Sequence, residues 1–99
     1  AAEYDQGVAK KAIETFTDFV SLYPEDERVE DARKKIDNLR TEQARGAMEV
    51  AKYYLKRKNY NGALVYYNEV LVKSPNSIYS DEAKKQIEEI KGKLNTTNQ

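Results

Sequence analysis

A displacement of 51 residues lays this chain on itself without a gap. Ala12 falls on Ala63, Ile13 on Leu64, Phe16 on Tyr67, Phe19 on Val70 and Val20 on Leu71. The same shift carries Pro24 onto Pro75, Ala32 onto Ala83, Ile36 onto Ile87 and Leu39 onto Ile90. Chance rarely keeps phase over a stretch of about 28 residues, so the chain reads as a repeat protein. Such proteins bury the apolar face of each unit against its neighbours.

The repeat is helical. Val8, Ala12, Ile13, Phe16, Phe19, Val20 and Tyr23 recur at steps of three and four, which predicts an amphipathic helix ending before Pro24. Asp26 is the expected N-cap of a second helix, with Glu27, Glu30 and Asp31 in its first turns. From there one stripe, Val29, Ala32, Ile36, Leu39, Ala44, Ala47, Met48, Ala51, Tyr54 and Leu55, continues without a proline. Residues 27–57 therefore predict a single helix of about 45 Å, with Asn59 expected in the left-handed turn after it. Tyr60, Ala63, Leu64, Tyr67, Val70 and Leu71 predict a third helix over 60–73, folded back on the second as an antiparallel hairpin. Ser77 or Ser80 is expected to cap a fourth helix over about 78–93, and NTTNQ reads as a frayed tail.

Composition narrows the function. There is no cysteine and no histidine among 99 residues, which removes thiolate chemistry, the commonest general base and the commonest zinc ligand. The acids at Glu25, Asp26, Glu27, Glu30 and Asp31 lack the calcium-loop pattern and open a helix. Every other acid falls on a polar face, where no pKa is raised for acid–base work. An enzyme is not expected, nor is a cofactor or a metal. Formal charge is zero overall, yet residues 1–31 hold nine acids against three bases and residues 32–61 hold nine bases against three acids. A neutral domain also argues against nucleic acid.

Ala51-x-x-Tyr54, Ala63-x-x-x-Tyr67 and Pro75 resemble the tetratricopeptide motif, with Ala47 where that motif prefers tryptophan. The period of 51 exceeds the usual 34 by 17, and the surplus lies inside the long helix. The expected fold is all-α: tetratricopeptide-like helical hairpins forming an α-α superhelix with one long shared helix. Its expected parts are 1–24, the end of one repeat; 25–58, the linking helix; 59–75, the second helix of the next hairpin; 76–94, a capping helix; and 95–99, a tail. A capping role suits a fourth helix with the narrow stripe Ala83, Ile87, Ile90 and Leu94 among charged faces.

The extended period narrows the resemblance further. Pro24, Asp31-Ala32-Arg33-Lys34-Lys35-Ile36, Leu39-Arg40, Val50-Ala51-Lys52-Tyr53-Tyr54 and the run Tyr60–Pro75 resemble the C-terminal repeats of the BamD (YfiO) family. The resemblance covers about residues 8–91. It implies a lipoprotein of outer-membrane β-barrel assembly, at the periplasmic face of a Gram-negative outer membrane, and partners in BamA-like POTRA domains and other assembly lipoproteins. The lipidated cysteine of that family is missing and the chain begins inside a repeat, so the resemblance implies a C-terminal piece of a longer precursor. In some family members a base on the third helix is used in docking, whereas here Val65, Tyr66, Asn68, Glu69 and Val72 carry none. The alternative is a peptide- or chaperone-docking tetratricopeptide module of a larger soluble protein.

A partner-binding surface is expected at Lys52, Tyr53, Lys56, Arg57, Lys58, Val65, Tyr66 and Val72. The bases gather where the long helix ends, and Tyr53 and Tyr66 fall off the buried stripes. Tyr54 and Tyr67 are read as core, with hydroxyls at the edge. A second expectation is self-association of this 99-residue piece through Phe16, Phe19 and Val20, whose covering helix would precede Ala1.

Overall fold

A computed structural model describes residues 6–97 of the chain. Four helices follow one another: α1 (Gln6–Leu22), α2 (Val29–Lys56), α3 (Tyr60–Lys73) and α4 (Ser80–Thr97). They form an all-α helical repeat, with no strand among the described residues. The chain divides into two compact units, Ala1–Gln43 and Ala44–Gln99, and α2 contributes a segment to each.

The 51-residue repeat survives as a repeat of hydrogen bonds. At the end of α1, Tyr23 N donates to Phe19 O at 2.9 Å, and at the end of α3 Ser74 N donates to Val70 O at 3.0 Å. Asp26 N then donates to Tyr23 O at 3.1 Å, and Ser77 N to Ser74 O at 3.3 Å. Val29 N reaches Asp26 O as Ser80 N reaches Ser77 O, both at 3.1 Å. Even the side chains correspond: Asp26 Oδ1 accepts from Arg28 N at 2.8 Å, and Ser77 Oγ from Tyr79 N at 3.2 Å. An Asx-turn in one copy is thus an ST-turn in the other, each following a proline that cannot extend a helix.

These turns correct the expected caps. Asp26 accepts two residues ahead inside the loop, and α2 opens at Val29 rather than at 27. Ser77 occupies the same place before α4, while the buried Ser80 sends its hydroxyl to Ser74 O at 3.1 Å. Helix α4 also outruns its expected end. Asn95–Thr97 are helical, and Thr96 Oγ1 donates to Gly92 O at 2.9 Å, so only the last two residues of the expected tail lie outside the described part. At the other end Gln6 and Gly7, ahead of the apolar stripe that begins at Val8, belong to α1, and residues 1–5 are outside the described ones.

The second unit holds a closed core. Ala44, Ala47, Met48 and Ala51 of α2 meet Ala63, Tyr67 and Val70 of α3 and Ala83, Ile87 and Ile90 of α4. Five of these ten are alanines, and small side chains let helix backbones approach closely. Full burial of Val70 or Ile90 contributes about 1.5–3 kcal/mol each. The first unit has the same pattern with less cover: Phe16, Phe19, Ile36 and Leu39 are half-buried where Tyr67, Val70, Ile87 and Ile90 are buried. Three helical segments close around the second core, whereas the first unit supplies only α1 and the first part of α2.

Candidate functional site

The end of α2 is locked by its own backbone. Asn59 N donates to Tyr54 O and Lys58 N to Leu55 O, both at 3.0 Å, the paired bonds of a Schellman motif. The left-handed residue this motif needs is Lys58, at φ 59°, and not Asn59 as the sequence suggests. Asn59 has φ −84° and instead caps α3, its side-chain oxygen accepting from Gly62 N at 2.9 Å. One short link therefore ends one helix and starts the next, which fixes the register of the hairpin.

That register aligns four side chains. The Arg57 guanidinium lies 4.4 Å from the centroid of the Tyr53 ring. Tyr53 meets Tyr54 edge-on at 5.5 Å and 79°, and Tyr54 stacks on Tyr66 of α3 at 5.7 Å and 17°. Aromatic contacts of this kind add about 0.5–1.5 kcal/mol each beyond area burial. Tyr53 is 53% exposed, so the ladder climbs from the half-buried Tyr54 and Tyr66 to an open ring under a cation. Lys52, Lys56 and Lys58 are exposed around it. Their charges suit the negative end of α2.

Of the eight expected site residues, Tyr53, Arg57 and Tyr66 are joined in this ladder. Lys52, Lys56 and Lys58 share its end of α2. Val65 and Val72 lie farther along α3, 59% and 68% exposed, with no ring or ion pair joining them to the ladder. Tyr67 is core as expected, at 1% exposure. Its hydroxyl finds no hydrogen-bond partner among the described residues, and burial raises its pKa, with Glu82 adding to the shift. Tyr54, expected in the core, is half-buried and forms the middle rung.

Gly62 carries no signal in the sequence beyond being a glycine. A Cβ there would stand 3.0 Å from Cγ and Cδ1 of Tyr54 and 3.1 Å from Cγ of Asn59. Its missing side chain is the notch in which the middle rung lies. Val50, at helical spacing from Ala47, Ala51 and Tyr54 and so expected on their apolar face, is instead 37% exposed, and Ile78, which belongs to no apolar stripe, is 85% exposed. Among the described residues no group of three or more acids stands close enough to hold a metal ion, and no helix is long and apolar enough to cross a membrane.

One helical hairpin of an all-α repeat protein thus displays an aromatic ladder with a basic rim. The sequence profile of the YfiO family, described as outer membrane lipoprotein, matches residues 1–73, so the chain belongs to that BamD-related family. The match runs from the first residue to the last of α3. No curated protein sequence matches the chain.

Proposed function

We propose that this chain is a non-enzymatic docking scaffold of outer-membrane β-barrel assembly, acting at the periplasmic face of the outer membrane. Its partners are BamA-like POTRA domains or companion assembly lipoproteins. Family membership supports the setting, and one observation carries the surface: the ladder Arg57–Tyr53–Tyr54–Tyr66 with Lys52, Lys56 and Lys58 around it. Tyrosine and arginine at the centre of a patch are the residue types that dominate protein interfaces, and outlying charges chiefly set association rate. Val65 and Val72 extend the same surface along α3 in this reading.

Capture of a POTRA fragment by the immobilised chain tests it. Tyr53→Ala should weaken capture about tenfold or more at every salt concentration, as loss of an anchoring ring does. Reversing Lys56 and Arg57 to Glu should weaken capture more at low salt than at high salt. Retention of acidic C-terminal peptides in place of POTRA fragments would favour a general peptide-docking module. Failure of the POTRA fragment to bind at all would overturn the proposal.

A further inference from the structure

Asn61 and Gly62 form the one asparagine–glycine pair in the chain. Such a pair is chemically labile, because glycine, with no Cβ, leaves its own nitrogen unhindered for attack on the preceding carboxamide. Its two members are under different constraints here. A Cβ at residue 62 would stand 3.0 Å from two Tyr54 ring atoms, so the hairpin demands glycine there. Asn61 meets no such demand. It is exposed in the first turn of α3, and its carboxamide makes no hydrogen bond among the described residues. The nucleophile, by contrast, is held: Gly62 N donates to Asn59 Oδ1 at 2.9 Å.

We infer that Asn61 is a covalent modification site and that the Asn59 cap is the latch on it. With the latch open, Gly62 N loses its proton and bonds to Asn61 Cγ, and the side-chain nitrogen leaves as ammonia. Water then opens the succinimide ring so formed. Cleavage of the new bond between Cγ and the Gly62 nitrogen gives aspartate. Cleavage of the original peptide bond gives isoaspartate. While α3 is intact the ring cannot close, since closure turns Asn61 far from the helical ψ of about −42°. It also removes the proton that Asn59 Oδ1 accepts. The reaction therefore runs only through opening of this first turn, and helix ends open more readily than cores. The two products act differently on the hairpin. Aspartate places a carboxylate in the first turn of α3, which holds no acid, and the positive helix end favours it. Isoaspartate carries the main chain through the former side chain and lengthens it by one methylene. That breaks the reach from Asn59 to Gly62, and with it the notch in which Tyr54 stacks on Tyr66. This inference stands whatever the ladder binds.

Peptide mapping of the chain aged at mildly alkaline pH, folded and in urea, tests the site. The mass gained when amide becomes acid locates each event, and isoaspartyl methyltransferase labelling measures the isoaspartate. In urea Asn61 should react before any other asparagine. The folded chain should react at least about tenfold more slowly, since only the opened fraction is competent. Asn59→Ala removes the latch and should speed the folded reaction about fivefold, the factor to which a cap of about 1 kcal/mol converts. Asn59→Asp keeps an accepting oxygen and should stay within about twofold of the parent chain, which separates loss of the cap from loss of the residue. Asn61→Gln should abolish the event without lowering the unfolding midpoint. Chain enriched in isoaspartate should lose the near-ultraviolet dichroism of its tyrosines, whereas Asn61→Asp should keep it. Equal rates folded and in urea, an Asn59→Ala chain as slow as the parent, or another asparagine reacting first in urea would each overturn the inference.

Discussion

Two glycines in helices of the same unit should respond to alanine with opposite signs. Alanine in a helix interior is ordinarily favoured over glycine by about 0.8–1 kcal/mol. At Gly92 a new Cβ meets nothing within 4 Å, so Gly92→Ala should stabilise by about 0.5–1 kcal/mol. At Gly62 the new carbon would sit 3.0 Å from two ring atoms of Tyr54, where carbon atoms prefer about 3.5–4.0 Å. The ring must therefore retreat by about half an ångström, toward Tyr66 stacked 5.7 Å away or the Tyr53 edge at 5.5 Å. Asn59 is crowded as well, and its cap on Gly62 N contributes about 1 kcal/mol. Overpacking costs of about 1–3 kcal/mol set against the propensity gain leave Gly62→Ala destabilised by about 1 kcal/mol. Urea unfolding followed by far-ultraviolet circular dichroism should separate the two midpoints by about 1 M, for a slope between 1 and 2 kcal/mol/M. Midpoints that rise together by similar amounts would refute the notch and, with it, the account of how the ladder is held.

Three further expectations follow from particular residues. Lys58 holds a left-handed φ of 59°, so Lys58→Gly should stabilise the chain by about 0.5–1 kcal/mol in urea melts, even though it deletes a base of the rim at the end of α2. Burial raises the Tyr67 hydroxyl above its ordinary pKa, so the unfolded chain loses this proton first and stability falls as pH rises past 10. Tyr67→Phe should keep full stability at pH 7 and lessen that alkaline loss in melts between pH 9 and pH 11. Hydrogen bonds from the Arg28 side chain and backbone lower the Asp26 carboxyl from 3.8 to about 2. Its contribution is present above 3.8 and lost as pH falls toward 2, so Asp26→Asn should flatten the acid limb of a thermal-melt series.

Much of the architecture was legible because periodicity and breakers are local signals. Pro24 and Pro75 stop two helices at the same phase of the repeat, and the stripes named the residues that became the core around Ala63, Tyr67 and Ile90. What escaped depended on neighbours in space. Phe16 and Tyr67 occupy matching repeat positions, yet only Tyr67 is fully covered, because Ala44, Ala47, Met48 and Ala51 close over its unit. Lys58 and Asn59 both suit a helix end. The Schellman bonds place the left-handed residue at Lys58 because α2 ends at Lys56 and Asn59 is engaged in capping α3. Tyr53, Arg57 and Tyr66 were marked as surface by their phase, whereas the rung that joins them, Tyr54, sits on the boundary stripe and needs the gap at Gly62.

The proposed docking surface is open to one direct measurement, amide hydrogen exchange of the chain with and without a saturating POTRA fragment. Protection should appear in the last turns of α2 and the first half of α3, over residues 52–66, with the solvent-facing amides of α4 unchanged. Saturating partner that leaves residues 52–66 exchanging as before, while protecting another segment, would contradict the assignment of the ladder as the docking site.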